Sequence, residues 1–409
     1  MNCPYRTGRI QGPVELSSFF PIQQHLENLK DRDLYRHLRT LESAQGPWVT
    51  LEGRQVLNLC SNNYLGLSSH PRVIEAATEA VRQWGCGSGA SRLICGNLSL
   101  HEVLENRLAA FKGTEAALLY NSGYTANGGI ISALVGREDF VFSDELNHAS
   151  IIDGCRLSQA RVMVFPHNNL EVLEEKLRRA LCSRPSAKRL IVVDGLFSMD
   201  GDLSPLPDLV NLAEKYEGML MVDEAHATGV LGPGGRGVAA HFGVERRIPI
   251  LMGTLSKALG CFGGFVAGSR GLVSFLINTS RSLIYTTALP PVVVATGLAA
   301  LDVLNADPSL PMKVQENGRY LRSQLNRLGY NTLNSQTQII PVVIGGASRT
   351  LEMSRLLLME GVFATPIRPP TVPEGTCRIR ITVMATHTRK DLDFAVEAFE
   401  RTGHTLGII

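Results

Sequence analysis

Residues 219–232 read MLMVDEAHATGVLG. Four apolar residues stop on Asp223, and His226 follows three residues later. A short apolar run that ends at turn-forming residues reads as a strand buried on both faces of a sheet. An acid at its carboxyl end occupies the edge where open α/β sheets place their ligands. Charge at that point is unfavourable unless a cation meets it.

Similar runs repeat on both sides of this one. AALLYNSG, DFVFSDE, ARVMVF, RLIVVDG and IPILMGT alternate with amphipathic stretches such as LEVLEEKLRRAL. That alternation predicts an α/β fold with a mostly parallel sheet covered by helices. We place this large domain over residues 63–300. Beyond a helix expected near 290–305, IIPVVIGG and GVFATPIRPPTVPEGTCRIRITVMATH read as strands around a Pro-rich turn. They predict a smaller α+β domain over 301–409, joined by part of residues 1–62, of which 1–20 read as an irregular arm.

Composition narrows the function classes. The chain has 409 residues, 44% hydrophobic and 19% charged, with a net charge of +2 and no long run of one sign. Neither nucleic acid nor a membrane surface is an expected partner. Eight scattered cysteines without a C-x-x-C pair predict reduced thiols and a cytoplasmic location, and the N-terminus shows no export signal. No metal site is expected.

The chemistry concentrates in a few stretches. LMGTLSKALGCFGG (251–264) holds Lys257 among apolar and small residues, after a predicted strand. The other seven lysines read as ordinary polar-context residues. Desolvation disfavours a charged amine, so Lys257 is a candidate nucleophile for a carbonyl; a lysine snorkelling from a loop is the equal alternative. Asp223 suits the protonated ring nitrogen of pyridoxal phosphate (PLP), while a loop cap or a Mg²⁺ ligand beside a nucleotide are alternatives. No Gly-Lys dipeptide exists, so a Walker A nucleotide loop is excluded. LLYNSGYTANGG (118–129) predicts a strand entering a helix, whose first turn around Gly123 and Tyr124 suits a phosphate or merely a cap. His148 in SDELNHASIIDG can stack on a flat ring or be structural, and Ser198 in DGLFSMDGD is a site residue or a turn serine.

Together, SNNYLGLSSHP, GSGASRLICGN, NHASIIDG, DGLFSMDGD, VDEAHATGVLG, GTLSKALG and IYTTALPP resemble the α-oxoamine synthase family in order and spacing, with TVPEGTCRIRITVMATHT extending the match to residue 388. These are PLP enzymes of the aspartate-aminotransferase fold. The resemblance implies that Lys257 is the Schiff-base lysine and then the general base. By the same resemblance Asp223 pairs with the ring nitrogen, His226 and Ser198 contact the phenolic oxygen, and His148 stacks on the ring. Gly123, Tyr124 and Thr254 would meet the phosphate. Thr286 and Thr287 would reach it from a second subunit, which implies a homodimer with a shared active site. Asn62 and Arg380 would line the amino-acid site.

Within the family, IRPPTVPEGTCRIRIT and GTLSKALGCFGGFVAG resemble members that join L-alanine to a pimeloyl thioester, on coenzyme A or acyl carrier protein, giving 8-amino-7-oxononanoate and CO₂ for biotin. Arg36, Arg39 and Arg368 would serve the substrate's outer end, with Arg36 or Arg39 facing the distal carboxylate. Alternatives within the family use glycine with an acetyl thioester or serine with a palmitoyl thioester. A catalytically idle relative would be expected to lack Lys257. A nicotinamide oxidoreductase would want G-x-G-x-x-G after an early strand, whereas GCGSGASR follows the helical PRVIEAATEAVRQW.

Overall fold

A computed structural model describes residues 21–409; the arm expected over 1–20 lies outside the described residues. In chain order the strands are β1 (Trp48–Leu51), β2 (Arg54–Asn58), β3 (Ala116–Tyr120), β4 (Phe140–Asp144), β5 (Arg161–Phe165), β6 (Arg189–Asp194) and β7 (Met219–Asp223). They continue with β8 (Ile250–Thr254), β9 (Gly264–Gly268), β10 (Ile339–Gly345), β11 (Val362–Phe363), β12 (Thr365–Ile367) and β13 (Cys377–Thr382).

Seven of them form the large sheet, in the order β3-β9-β8-β7-β6-β4-β5. All its pairings are parallel except the two made by β9, which runs antiparallel to β3 and β8. Strands β4, β6, β8 and β9 are buried along their whole length. This explains their nearly continuous apolar sequences, since helices cover both faces. The edge strand β5, RVMVF, is mostly exposed and carries an arginine at its start.

Local chemistry sets the helix starts. Ser122 accepts the Thr125 N–H ahead of helix Gly123–Leu134, and Asn169 and Ser269 cap helices Leu170–Ser183 and Arg270–Thr279. Helix Pro291–Ala306, with proline at its first position, packs on helices Pro71–Trp84 and Ser99–Lys112.

The smaller domain holds two three-stranded sheets, β1-β2-β11 and β10-β13-β12. Strand β11 pairs in parallel with β2, so the chain's early segment completes a sheet with its late one. The fold is therefore the expected aminotransferase-like α/β architecture. Its one unpredicted large-sheet strand is β9.

Candidate active site

Five parallel strands of the large sheet deliver the predicted residues from the same edge. Beyond β3 comes Ser122-Gly123-Tyr124; beyond β4, His148; beyond β6, Ser198; beyond β7, His226, with Asp223 ending the strand; beyond β8, Lys257. This convergence follows from topology, because parallel strands all present their carboxyl ends together.

Lys257 is half-buried, one residue beyond Ser256. Among the described residues, no acceptor lies within hydrogen-bond distance of its Nζ. Burial and then the charge of Arg380 push its pKa down to about 8, against the upward pull of Asp223 and Asp194.

Asp223 is 4% exposed. Its Oδ2 accepts from Asn127 Nδ2 at 2.7 Å and its Oδ1 from the Ala225 N–H at 2.8 Å. Among the described residues it makes no salt bridge, so a buried carboxylate is available to a cation from the cleft. Asp194 ends the neighbouring strand in register with it. Burial and the negative charge of Asp223 hold the Asp194 carboxyl well above the usual range. Asp194 Oδ2 accepts the His148 N–H at 2.9 Å.

Both histidines are biased towards neutrality. Burial lowers His148, with Lys257 adding to the shift and Asp223 opposing it. His226 is lowered well below its ordinary value by burial, then by Lys257, Arg380 and His148. Its Nδ1 lies 2.7 Å from the Tyr64 hydroxyl. The same hydroxyl lies 3.1 Å from Asn62 Oδ1, so Tyr64 links His226 to Asn62.

Arg380, 8% exposed on β13, donates through Nε to Ser198 O at 2.5 Å and through Nη2 to Asn62 Oδ1 at 3.3 Å. Among the described residues it has no acidic partner. Two positions along the same strand, Arg378 is paired with Asp200 at 2.6 Å. The smaller domain thus sends one uncompensated cation towards Lys257.

At the phosphate end, helix Gly123–Leu134 leaves the N–H groups of its first turn without intrahelical acceptors. The Thr125 N–H is capped by Ser122 Oγ at 3.1 Å, so those of Gly123 and Tyr124 suit an anion. The Tyr124 hydroxyl is bonded to Asp153. Thr254 Oγ1 donates to Gly263 O at 2.7 Å and lies 2.7 Å from Ser256 Oγ. Thr286 Oγ1 and Thr287 O both accept from Asn121 of their own chain, at 3.1 and 2.9 Å.

The three remaining arginines lie farther out. A cavity of about 370 Å³ is bounded by Ser256, Asn62, Cys60 and Phe363. Phe363 also borders a second cavity, of about 480 Å³, lined by Arg36, Arg39, Arg355 and Arg368. Arg368 donates to the carbonyls of Asp33 and Tyr35, and Arg36 donates to Pro369 O at 3.0 Å. These two therefore tie segment 33–36 to the 368–369 turn. Arg39 forms an ion pair with Glu52 at 3.2 Å.

Sequence reasoning passed over Tyr64, Asn127 and Asp194, which touch His226, Asp223 and His148 across long separations, and Ser150, which touches His148 two residues away. Reading seven lysines as ordinary needs correction at Lys112. It is buried, with Nζ donating to Glu224 Oε2 at 2.6 Å, Thr228 Oγ1 at 2.8 Å and Arg236 O at 2.7 Å. Its polar neighbours in sequence concealed this.

Residues 54–399 match the family described as aminotransferase class I and II. The chain belongs to that family. The 8-amino-7-oxononanoate synthase of Geobacter sulfurreducens is 53% identical over 390 residues, 95% of this chain and 99% of that protein. That of Thermoanaerobacter pseudethanolicus is 49% identical over 388 residues, 95% and 98% of the two chains. Among solved structures, a serine palmitoyltransferase from S. paucimobilis with bound PLP superposes with a TM-score of 0.91 at 33% identity, covering 96% of this chain and 99% of that one. An 8-amino-7-oxononanoate synthase from Francisella tularensis gives 0.74 at 26% identity, covering 87% and 99%.

Proposed function

We propose that this chain is a PLP-dependent acyltransferase that condenses L-alanine with a pimeloyl thioester, releasing the carrier thiol (coenzyme A or acyl carrier protein), CO₂ and 8-amino-7-oxononanoate for biotin synthesis. The relatives at about half identity over nearly the whole chain carry that activity in their names. The observation that carries the chemistry is Lys257, a half-buried amine that makes no hydrogen bond among the described residues, close to the buried carboxylate of Asp223, which makes no salt bridge. The donor set fits PLP: Asp223 for the ring nitrogen, the Gly123 and Tyr124 N–H groups for the phosphate, and His226 and Ser198 for the phenolic oxygen.

When bound, PLP supplies an electron sink for charge developing at the substrate Cα. Lys257 removes the Cα proton, and its depressed pKa keeps a substantial neutral fraction near neutral pH. Asp223 accepts a hydrogen bond from the protonated ring nitrogen, which its two existing donors leave room for. Arg380 holds the amino-acid carboxylate in the two-pronged manner of a guanidinium and so orients the bond later broken as CO₂ leaves.

The arginine-lined outer cavity supports a dicarboxylic acyl chain, since a buried terminal carboxylate needs a cation. Arg36 and Arg39 are its candidates; the grip of Arg368 on Asp33 and Tyr35 suits it to shaping the cavity. A homodimer is part of the reading. Exposed Leu93, Ile94 and Tyr285, the last beside Thr286, offer apolar surface for a second copy. We place the enzyme in the cytoplasm; no helix among the described residues is long and apolar enough to cross a membrane.

The test offers alanine, glycine and serine with pimeloyl, acetyl and palmitoyl thioesters and identifies products by mass. Alanine with pimeloyl-CoA or its carrier-protein thioester should give the highest kcat/KM. A higher value for glycine with acetyl-CoA, or serine with palmitoyl-CoA, overturns the substrate assignment.

A further inference from the structure

We infer that Asn127 and Ser150 are positioning residues that join Asp223 and His148 into one hydrogen-bonded unit and fix the His148 tautomer. Asn127, on helix Gly123–Leu134, is 1% exposed, as is Ser150. The two hydrogens of its amide nitrogen go to Asp223 Oδ2 at 2.7 Å and Ser150 Oγ at 2.9 Å. Its Oδ1 is buried without a partner among the described residues. The reversed amide would set an oxygen 2.7 Å from a carboxylate oxygen, so Asp223 itself dictates the orientation.

The direction then passes along the chain. Ser150 Oγ accepts from Asn127, and its own hydrogen points to His148 Nδ1 at 2.7 Å. The Ser150 backbone N–H also faces that nitrogen, at 3.2 Å. With two donors aimed at it, Nδ1 is an acceptor and the ring hydrogen resides on Nε2. Asn127 thus acts on both groups: it supplies Asp223 Oδ2 with a hydrogen-bond donor, and it commits Ser150 to His148. Neither Asn127 nor Ser150 is placed against a reacting atom, and the four residues come from three separate segments. The inference rests on the proposed function only in taking Asp223 and His148 as cofactor contacts; the relay itself needs no substrate.

The experiment uses the full-length PLP-loaded protein with ¹⁵N-labelled histidine. Ser150→Ala, Ser150→Thr and Asn127→Ala are compared with the parent by His148 ¹⁵N shifts, PLP dissociation constant, and kcat and KM for alanine. The parent should show one neutral tautomer with the hydrogen on Nε2. Ser150→Ala and Asn127→Ala should mix the tautomers and weaken PLP binding about tenfold or more, and Ser150→Thr should restore both. Asn127→Ala is informative because Asn127 does not touch His148, so a change in that ring's shifts reports the relay. Ser150→Ala removes one oxygen atom, so it decides the matter even where Asn127→Ala fails to fold. An unchanged His148 pattern with PLP affinity within twofold of the parent in Ser150→Ala overturns the relay, as does failure of Ser150→Thr to restore it. A parent that binds no PLP removes the proposed function, while the tautomer pattern still judges the relay.

Discussion

Lys112 and Lys257 are two lysines of one domain, the first buried and the second half-buried, and they are held in opposite ways. Lys112 has an acceptor for each of its three ammonium hydrogens, one of them the Glu224 carboxylate, and its side chain is 1% exposed. Gly237 allows the backbone to close round this pair, since a Cβ there would come within 2.5 Å of the Glu224 oxygens. Burial lowers Lys112 too, with Glu224 opposing the shift. Lys257 has no such cage. Arg378 and Arg380 repeat the contrast on one strand, the first paired with Asp200 and the second bonded only to neutral oxygens. Burial by itself does not free a cation for chemistry; Lys112 is held by three acceptors, whereas Lys257 has no contacting counter-ion and the attraction of Asp223 and Asp194 only partly offsets its desolvation.

The strongest attempt to break this contrast is Lys257→Ala. Turnover should fall by at least about 10⁴-fold, since covalent attachment and proton transfer are lost together. Thermal stability should hold or rise, because the amine has no partner to strand. Borohydride reduction of the PLP-loaded parent followed by peptide mapping should label Lys257; a label on Lys112 would reverse the assignment. Asp223→Asn comes next. Exchange of the alanine α-proton should slow by roughly 10²- to 10⁴-fold while some cofactor binding survives, because an amide cannot keep the ring nitrogen protonated. Near-normal exchange would remove Asp223 from that role.

Lys112→Met approaches the contrast from the caged side. Removing one partner of a buried ion pair strands the other, so unfolding free energy should drop by about 3–5 kcal/mol. The double variant Lys112→Met with Glu224→Leu should recover much of that loss. Urea denaturation separates the cases, and a single variant as stable as the parent would mean that the pair is not a structural clamp.

How much of this was legible follows the same division. Strands β3, β4, β6, β7 and β8 announced themselves because double-sided burial leaves a continuous apolar run, the edge strand β5 showed as RVMVF although mostly exposed, and Asp223 and Lys257 were visible as charges beside such runs. Strand β9, GFVAG, is five residues bounded by glycines, too short and too plain for its period to register. The cage of Lys112 was invisible because Glu224 lies 112 positions away, and AAFKGTE places polar neighbours beside the lysine in sequence. Asn127 was hidden for the same reason, 96 positions from Asp223, and so was the link from Asn127 to Ser150, although Ser150 stands two residues from His148. Residues whose role lies in what they touch across the fold leave no local pattern.

His167 extends the contrast to a cation that exists because of its cage, and it gives the mildest prediction. Its Nδ1 lies 3.1 Å from Asp144 Oδ1 and its Nε2 2.8 Å from Asp202 Oδ2. Burial opposes the charge, but hydrogen bonds and the charges of the two carboxylates prevail and raise the pKa from 6.5 to about 10. The cluster links the end of β4 to the loop that follows β6. A folded-state pKa above the unfolded value means stabilisation fully present below pH 6.5 and lost as pH rises through about 10. The parent should therefore lose unfolding free energy between pH 6.5 and 10 in urea titrations. His167→Gln should be less stable than the parent at pH 6.5 and should lose less across that window, so the two curves converge on the alkaline side. The side chain is 23% exposed, and solvent screening keeps the effect smaller than that of Lys112→Met. Parallel curves for the two proteins would mean that His167 does not carry its proton in the folded state, and the caged class would then lose this member.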